Sequence, residues 1–232
     1  MSESESGDEQ DAFQFKFILL GDGAVGKTSL AIRFAEDDFG KQYKQTIGLD
    51  WFMRKLSLRG GTEVAIQLWD IGGQSISGKM IENYIFGAHA VLLCYDVTNY
   101  QSFQNLEDWL RLVRKTFVNE EKKPLVALVG NKSDLSHLQT VKLEKHKKFM
   151  DDNGIDHNAF VSAKSGDSVF SAFFSMAAEL SGVTVSKSEI DSLSQPVRAE
   201  IVNHPNRHVP GMEPGTTKEV RTEEEGSYCS LQ

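Results

Sequence analysis

The chain has 232 residues, of which 33 are acidic and 25 basic, so its formal net charge is −8. Its length suits one domain with additional segments, and its 40% apolar content excludes disorder throughout. No apolar run is long enough for a membrane-spanning helix, and the acidic balance argues against a nucleic-acid partner.

The net charge is confined to the two ends of the chain. Residues 1–12 contain five acidic residues and no basic ones, whereas residues 183–232 contain eight acidic and five basic residues. Neither end has the apolar periodicity that could offset the entropy of ordering. We therefore predict a flexible acidic segment at 1–12, a folded domain at 13–181 and a flexible tail at 182–232.

Predicted strands and helices alternate along the domain. Residues 13–20 form an apolar run that predicts a buried strand, and residues 49–58 and 62–70 flank a glycine-containing turn, which predicts a hairpin. Continuous apolar runs at 90–96 and 124–130 are typical of parallel strands that are covered on both faces. The spacing of apolar residues predicts helices at 27–37, 101–117, 141–152 and 167–180, and a short strand is predicted at 159–162.

This alternation predicts an α/β fold. We expect three layers, with a six-stranded, mostly parallel sheet that has one antiparallel strand and helices on both faces. The acidic N-terminus is unlike a signal peptide, and two cysteines cannot form a disulfide framework. We therefore expect a protein of the reducing cytoplasm, with Cys94 in a core strand.

A phosphate-binding loop follows the first strand and begins the first helix. Its pattern is GxxxxGK(S/T), in which glycines let backbone N–H groups converge on phosphate oxygens. Lys27 would bridge the β- and γ-phosphates, and the hydroxyl of Thr28 would bind Mg²⁺. A glycine-rich turn of chance composition is the alternative. The predicted phosphate-binding residues are Gly21, Asp22, Gly23, Ala24, Val25, Gly26, Lys27, Thr28 and Ser29.

Two later segments bear on the choice of base. Asn131-Lys132-Ser133-Asp134 follows a predicted parallel strand, at the sheet edge where doubly wound folds bind ligands. A carboxylate there can accept two hydrogen bonds from guanine, which adenine cannot match. In isolation the segment could equally be the polar start of a helix. Together with the phosphate loop and with Ser162-Ala163-Lys164 after the last strand, it favours guanine.

These motifs resemble those of the Ras-like small GTPases, and within them the Rab family. The resemblance implies that the expected α/β fold is the Ras-like P-loop NTPase fold. The resemblance covers residues 15–180, where GDGAVGKT, QTIGLD, WDIGGQ, NKSD and SAK occur in the family's order and spacing. Rab character lies in IGLDW, IQLWD, YIFGAH and a C-terminal prenylation signal. The combination of IGGQ with that signal is most similar to the outlying Rab subfamily twenty-eight.

The resemblance implies how the base is held. Asp134 and Asn131 would contact guanine, Lys132 and Phe39 would pack on its two faces, and the backbone N–H of Ala163 would meet O6. The bound nucleotide is then GTP or GDP. A different function, that of an ATP-using P-loop kinase, is disfavoured by the segment Asn131-Lys132-Ser133-Asp134 and by the absence of a lid segment.

The resemblance also implies a Mg²⁺ site and a catalytic set. Thr28, Thr46 and Asp70 would hold the ion, Asp70 through water and Thr46 only when a γ-phosphate is present. Gly73 would donate its N–H to the γ-phosphate, and Gln74 would orient the attacking water. The segments around Thr46 and Gly73 would be two switches that GTP orders. The implied catalytic residues are Lys27, Thr46, Gly73 and Gln74.

The second switch departs from the Rab pattern. Rabs usually carry Thr-Ala-Gly-Gln-Glu there, whereas residues 71–75 read Ile-Gly-Gly-Gln-Ser. The additional glycine raises the entropic cost of ordering by about 0.5–1 kcal/mol, and Ser75 removes a charge that exchange factors use. Two functions remain open: a GTPase that recruits effectors in membrane and vesicle trafficking, and a nucleotide-locked binding module with negligible hydrolysis.

The implied partners are an exchange factor, a GTPase-activating protein and effectors. Gly23 leaves room for an activating group supplied in trans. Trp51, Trp69 and Tyr84 lie where Rabs present a surface to effectors, although these rings could equally be core residues. We expect a monomer.

The C-terminal residues match a prenylation box. Cys229 is followed by Ser-Leu-Gln, and a terminal glutamine favours farnesyl over geranylgeranyl. A free tail cysteine is the alternative. Residues 221–225 are mainly acidic and offer no second membrane signal, so we expect reversible attachment to the cytoplasmic face of membranes and extraction by a prenyl-binding carrier. Endosomal, plasma and ciliary membranes are not distinguished.

Overall fold

The computed structural model describes residues 13–40, 44–74 and 80–194. Six strands form one sheet in the order β2-β3-β1-β4-β5-β6, in which β2 pairs antiparallel with β3 and all other pairs are parallel. The predicted sheet is thus confirmed, including its antiparallel strand. The strands are β1 (Phe13–Leu20), β2 (Leu49–Ser57), β3 (Glu63–Ile71), β4 (Ala90–Asp96), β5 (Leu125–Asn131) and β6 (His157–Phe160).

Helices cover both faces of the sheet, which gives the predicted three layers. In β1, Phe15, Phe17 and Leu19 pack with α1 and α6, while Ile18 and Leu20 pack on the opposite face with α2, α4 and α5. Both faces are buried, which explains why the central strands are continuous apolar runs. The helices of the described ranges are α1 (Lys27–Glu36), α2 (Ile81–Ile85), α3 (Tyr100–Gln104), α4 (Leu106–Thr116), α5 (Leu143–Asn153), α6 (Val169–Leu180) and α7 (Lys187–Ser194).

Several predicted boundaries were wrong. The helix predicted at 101–117 is divided at Asn105 into α3 and α4, a break that the apolar pattern conceals because Phe103 and Leu106 are buried in the same core cluster. The short helix α2 was not predicted. The last strand ends at Phe160, which leaves Ser162 in the following loop.

Helical structure continues beyond the domain boundary predicted at residue 181. Val183 and Val185 pack against the core, and α7 follows them. The division into a flexible N-terminal segment, domain and tail stays a prediction, since residues 1–12 and 195–232 lie outside the described ranges. Among the described residues, no helix has the length and apolar character needed to cross a membrane.

A buried polar pair supports the end of β5. The hydroxyl of Tyr95 lies 2.8 Å from Nδ1 of His146, and burial lowers the pKa of His146 to about 4, so its ring is neutral near pH 7. A Cβ at Gly130 would come within 2.8 Å of the Tyr95 hydroxyl and 2.9 Å of the Phe160 ring. Only glycine fits there, and the close packing fixes the backbone from which Asn131 projects.

Candidate nucleotide-binding site

A cavity of about 680 Å³ opens at the C-terminal edge of the sheet. Its volume lies within the range of pockets that enclose small ligands. The predicted residues that line it are Gly23, Ala24, Gly26, Lys27, Thr28, Ser29, Phe39, Thr46, Gly73, Gln74, Asn131, Lys132, Asp134, Ala163 and Lys164. The predicted residues that do not line it are Gly21, Asp22, Val25, Asp70 and Ser162, and each of these is hydrogen-bonded to a residue that does.

The phosphate loop holds its lysine within its own backbone. The Lys27 ammonium donates to the carbonyls of Gly21 (2.7 Å) and Asp22 (2.8 Å), and the side chain is only 6% exposed. Burial lowers the pKa of Lys27, an effect that the negative charge of Asp70 opposes. The loop therefore presents an oriented cation to the cavity at the N-terminus of α1, where backbone N–H groups favour an anion.

The loop also contains backbone that constrains its sequence. Ala24 has a φ of 62°, a left-handed conformation that costs a non-glycine residue about 1–3 kcal/mol. Gly21 has a φ of 140°, and a Cβ there would lie 2.1 Å from the carbonyl oxygen of Cys94. Burial raises the pKa of the Cys94 thiol to about 12, so this cysteine is inert, as expected.

The three predicted Mg²⁺ ligands meet at one point. The Thr28 hydroxyl lies 2.6 Å from that of Thr46 and donates to Oδ2 of Asp70 at 2.5 Å, while Thr46 donates to the same oxygen at 3.2 Å. Asp70 is fully buried, and its Oδ1 has no partner among the described residues. Burial raises the pKa of Asp70, against hydrogen bonding from Thr28 and the charge of Lys27.

This donor set fits Mg²⁺. All of its atoms are hard oxygens, the type that Mg²⁺ prefers, and the Oδ1 of Asp70 is a buried acceptor with no partner among the described residues. No group of three or more His, Cys, Asp or Glu side chains that could hold a metal occurs within the described ranges. The remaining ligands of a six-coordinate ion would therefore come from phosphate and water oxygens.

The two segments that are predicted to be switches contact each other and the phosphate loop. The N–H of Gly72 donates to the carbonyl of Gly48 at 3.0 Å. A Cβ at Gly73 would lie 2.2 Å from the Gly23 nitrogen and 2.3 Å from the Asp22 carbonyl carbon, so a side chain is excluded at this position. Gln74 is exposed at the cavity. Residues 75–79, including the unusual Ser75, lie outside the described ranges.

The two segments that are predicted to select guanine are bound to each other and to the phosphate loop. The Asn131 amide donates to the carbonyl of Val25 at 2.9 Å and accepts from the N–H of Ala163 at 3.1 Å. The Ser162 hydroxyl donates to Oδ1 of Asp134 at 2.7 Å. Both ends of the Asn131 side chain are thus used within the protein, which gives it a framework role, and its contact with guanine stays a prediction.

An ion pair holds Lys132 at the edge of the site. Its ammonium lies 2.6 Å from Oδ2 of Asp96 and donates to the carbonyl of Ala24 at 3.0 Å. Burial alone would raise the pKa of Asp96, but hydrogen bonds from Lys132 and Thr98 outweigh it and lower the pKa. With its charged end held at both points, the aliphatic stem of Lys132 can lie along the cavity wall.

Some residues at the site were missed from the sequence. Asp96 could have been found, because it ends a predicted parallel strand next to the strand that carries Asn131. Arg33 gave no signal, since it occupies an unremarkable helical position, yet it donates to the carbonyls of Ala163 and Lys164. Its partners lie about 130 positions away in sequence.

The three aromatic residues assigned to an effector surface have different environments. Trp51 is 52% exposed and lies opposite Trp69 in the β2–β3 hairpin. Trp69 and Tyr84 are partly buried against the core, and the Lys16 ammonium lies 4.2 Å from the Trp69 ring centroid. The rings of Trp69 and Tyr84 are therefore used in part for packing against the core, whereas the ring of Trp51 is available at the surface.

The fold and the site define the class of protein. A model of the Ras family matches residues 16–182, and the chain belongs to this family of small GTPases. Members bind guanine nucleotides and hydrolyse GTP, so the protein is an enzyme of this class.

A curated relative narrows the assignment. The chain is 42% identical over 207 residues to the Ras-related protein Rab-28 of Caenorhabditis elegans, an alignment that spans 89% of this chain and 83% of that protein. The predicted resemblance to the Rab family, and to its subfamily twenty-eight, is confirmed.

One prediction concerns the side chain of Asp22, which points out of the cavity. Its carboxylate accepts from Asn105 Nδ2 (2.6 Å) and from the buried indole of Trp109 (3.1 Å), and so ties the phosphate loop to α4. Asp22→Ala leaves that indole without an acceptor. We expect urea denaturation of the GDP-loaded protein to give a free energy of unfolding lower by about 1–3 kcal/mol.

The matched control is Asp152→Ala. Asp152 forms an ion pair with Lys148 in which both side chains are more than half exposed, so its loss should leave the free energy of unfolding nearly unchanged. Equal effects of the two substitutions would contradict the anchoring role of Asp22.

Proposed function

We propose that this protein is a Rab-type switch in intracellular membrane and vesicle trafficking. Mg²⁺-dependent binding of GTP would draw the segments around Thr46 and Gly73 onto the phosphate loop, and hydrolysis to GDP would release them. The meeting of Thr46 with Thr28 and Asp70 supports this most directly. Thr46, which lies in the loop before β2, meets the buried carboxylate of Asp70 at this point. Loss of the proposed cation site would therefore release that loop.

The chemistry divides among a few groups. Lys27 and the N–H groups at the start of α1 would hold the β- and γ-phosphates. Bound Mg²⁺ supplies positive charge that neutralises these phosphates. The N–H of Gly73 would donate to the γ-phosphate, because the absence of a side chain lets its backbone approach the loop. Gln74, which lines the same cavity, would orient the attacking water.

The alternative function is a nucleotide-locked module with negligible hydrolysis. In its favour, the exposed Gln74 forms no hydrogen bond within the described part of the chain, and glycine precedes the switch glycine Gly73. Against it, Gly72 is buried and its N–H is bonded to Gly48, so the additional glycine does not leave this backbone unconstrained. Turnover distinguishes the two.

The test is to purify the protein, identify its bound nucleotide and measure GTP turnover with and without Mg²⁺ in the wild type and in Gln74→Leu. We expect a guanine nucleotide, Mg²⁺-dependent turnover, and a loss of roughly 10- to 100-fold in the variant because the water is no longer oriented. Gln104→Leu, at an exposed position of α3, is the matched control.

Each outcome has a consequence. Bound ATP would overturn the guanine assignment. Equal, measurable turnover in wild type and Gln74→Leu would overturn the role of Gln74. Turnover near zero in both proteins would favour the nucleotide-locked module.

The proposed partners are an exchange factor, a GTPase-activating protein, effectors and a prenyl-binding carrier. We propose that effectors contact the β2–β3 hairpin through Trp51, with Trp69 and Tyr84 contributing the rims of their partly buried rings. The protein would act as a monomer, in the cytoplasm and reversibly on the cytoplasmic face of a membrane.

The membrane anchor is proposed to be a farnesyl group on Cys229, which lies outside the described residues. The support is the sequence Cys-Ser-Leu-Gln at positions 229–232. In cells, Cys229→Ser should move the protein from the membrane fraction to the cytosol. Gln232→Leu should remain on membranes, because a terminal leucine redirects the same cysteine to geranylgeranyl. An unchanged membrane fraction in Cys229→Ser would rule out the anchor.

A further inference from the structure

We infer that Arg33 is a positioning residue for guanine recognition. Its guanidinium orients the peptide between Ala163 and Lys164 so that the N–H of Lys164 faces the keto oxygen at C6 of the base. This inference rests on the proposed guanine-nucleotide function. It adds to that function a side chain that lies outside every motif of the sequence.

Three donors of Arg33 are directed at backbone carbonyls. Nε donates to Ala163 at 3.0 Å and Nη2 to Lys164 at 2.9 Å, so one edge of the guanidinium holds two consecutive carbonyls. Nη1 donates to Asp37 at 2.6 Å. The loop also passes the side chain at Gly166, where an added Cβ would be in ordinary van der Waals contact, 3.7 Å from Cδ of Arg33. The guanidinium is therefore fixed between the end of α1 and the loop after β6.

The direction of the N–H groups follows from peptide geometry. No cis peptide bond occurs in the described residues, and in a trans peptide the C=O and N–H bonds point in opposite directions. Because the Ala163 carbonyl is turned toward Arg33, the N–H of Lys164 is turned away from it. Both residues line the cavity. That N–H donates to no acceptor among the described residues, so it remains available to a ligand.

The opposite side of the loop is fixed by a second side chain. The N–H of Ala163 donates to Oδ1 of Asn131, which is 2% exposed and also bonded to the phosphate loop. Arg33 holds the carbonyls from outside, and Asn131 holds an N–H from inside. The N–H of Lys164 is thus held in a fixed direction. As a hydrogen-bond donor it suits the C6 carbonyl of guanine and is mismatched with the C6 amino group of adenine.

An arginine is required by this geometry. Its planar fork can hold two carbonyls at once, whereas a lysine ammonium is a single flexible point of charge. Arg33 is placed accurately because the neighbouring α1 residues Leu30 and Phe34 are each only 1% exposed. If Arg33 only packed the end of α1 against the loop, the aliphatic stem of lysine would replace most of its effect.

The test uses diphosphate nucleotides that differ only in the base. Inosine diphosphate keeps the C6 carbonyl of GDP and lacks the 2-amino group, whereas 2-aminopurine riboside diphosphate keeps the amino group and lacks the carbonyl. Dissociation constants are measured for all three, with Mg²⁺, on the full-length wild type, Arg33→Ala and Arg33→Lys. Arg59→Ala, which removes a 72% exposed arginine side chain, is the control.

We expect Arg33→Ala to weaken GDP and inosine diphosphate by roughly tenfold and the 2-aminopurine nucleotide by less than about twofold, because only the first two lose an oriented hydrogen bond. Arg33→Lys should recover little of the loss, and Arg59→Ala should change none of the three constants. The decisive quantity is the ratio of the inosine to the 2-aminopurine constant within one variant, so general destabilisation cancels.

A loss of equal size for all three nucleotides, no loss for any, or full recovery in Arg33→Lys would overturn the role of Arg33. If Arg33→Ala does not fold, the same ratio in Arg33→Lys decides the question. Failure of the wild type to bind GDP would instead overturn the proposed function, so the two failures are distinguishable.

Discussion

The buried carboxylate of Asp70 is the constraint on which the site depends. It lies near the end of β3, accepts hydrogen bonds from the hydroxyls of Thr28 and Thr46 on one oxygen, and has no partner for the other among the described residues. Burial raises the pKa of this carboxyl, against the hydrogen bond from Thr28 and the charge of Lys27. The carboxylate therefore offers a buried acceptor beside the hydroxyls of Thr28 and Thr46, at the point where we propose that a cation binds.

The two parts of the cavity are held with unequal strength. At the end of the cavity where we propose that the base binds, Asn131, Arg33 and the Lys132–Asp96 ion pair have their partners outside the two predicted switches. The switch side is joined through the Thr46 hydroxyl and the bond between Gly72 and Gly48. Each neutral hydrogen bond contributes only about 0.5–1.5 kcal/mol. This difference is compatible with the proposed switch, in which the nucleotide stays bound while the segments around Thr46 and Gly73 move.

The sequence predicted those parts of the site whose residues form contiguous motifs. The phosphate loop is contiguous, and the guanine segments follow strands whose apolar runs are easily recognised, so their meeting at one sheet edge follows from parallel topology. Arg33 could not be found, since its role depends on contacts some 130 residues away. The framework role of Asn131 was also missed, because the sequence does not show that both ends of its amide are used within the protein.

The central claim is that Thr46 completes the cation site only when a γ-phosphate is present. The direct measurement is the Mg²⁺ affinity of the GDP complex and of a complex with a non-hydrolysable GTP analogue. The account predicts that Thr28→Ala weakens Mg²⁺ in both complexes, whereas Thr46→Ala weakens it by roughly tenfold in the GTP-analogue complex alone. An equal effect of Thr46→Ala in both complexes, or no effect in either, would contradict the account.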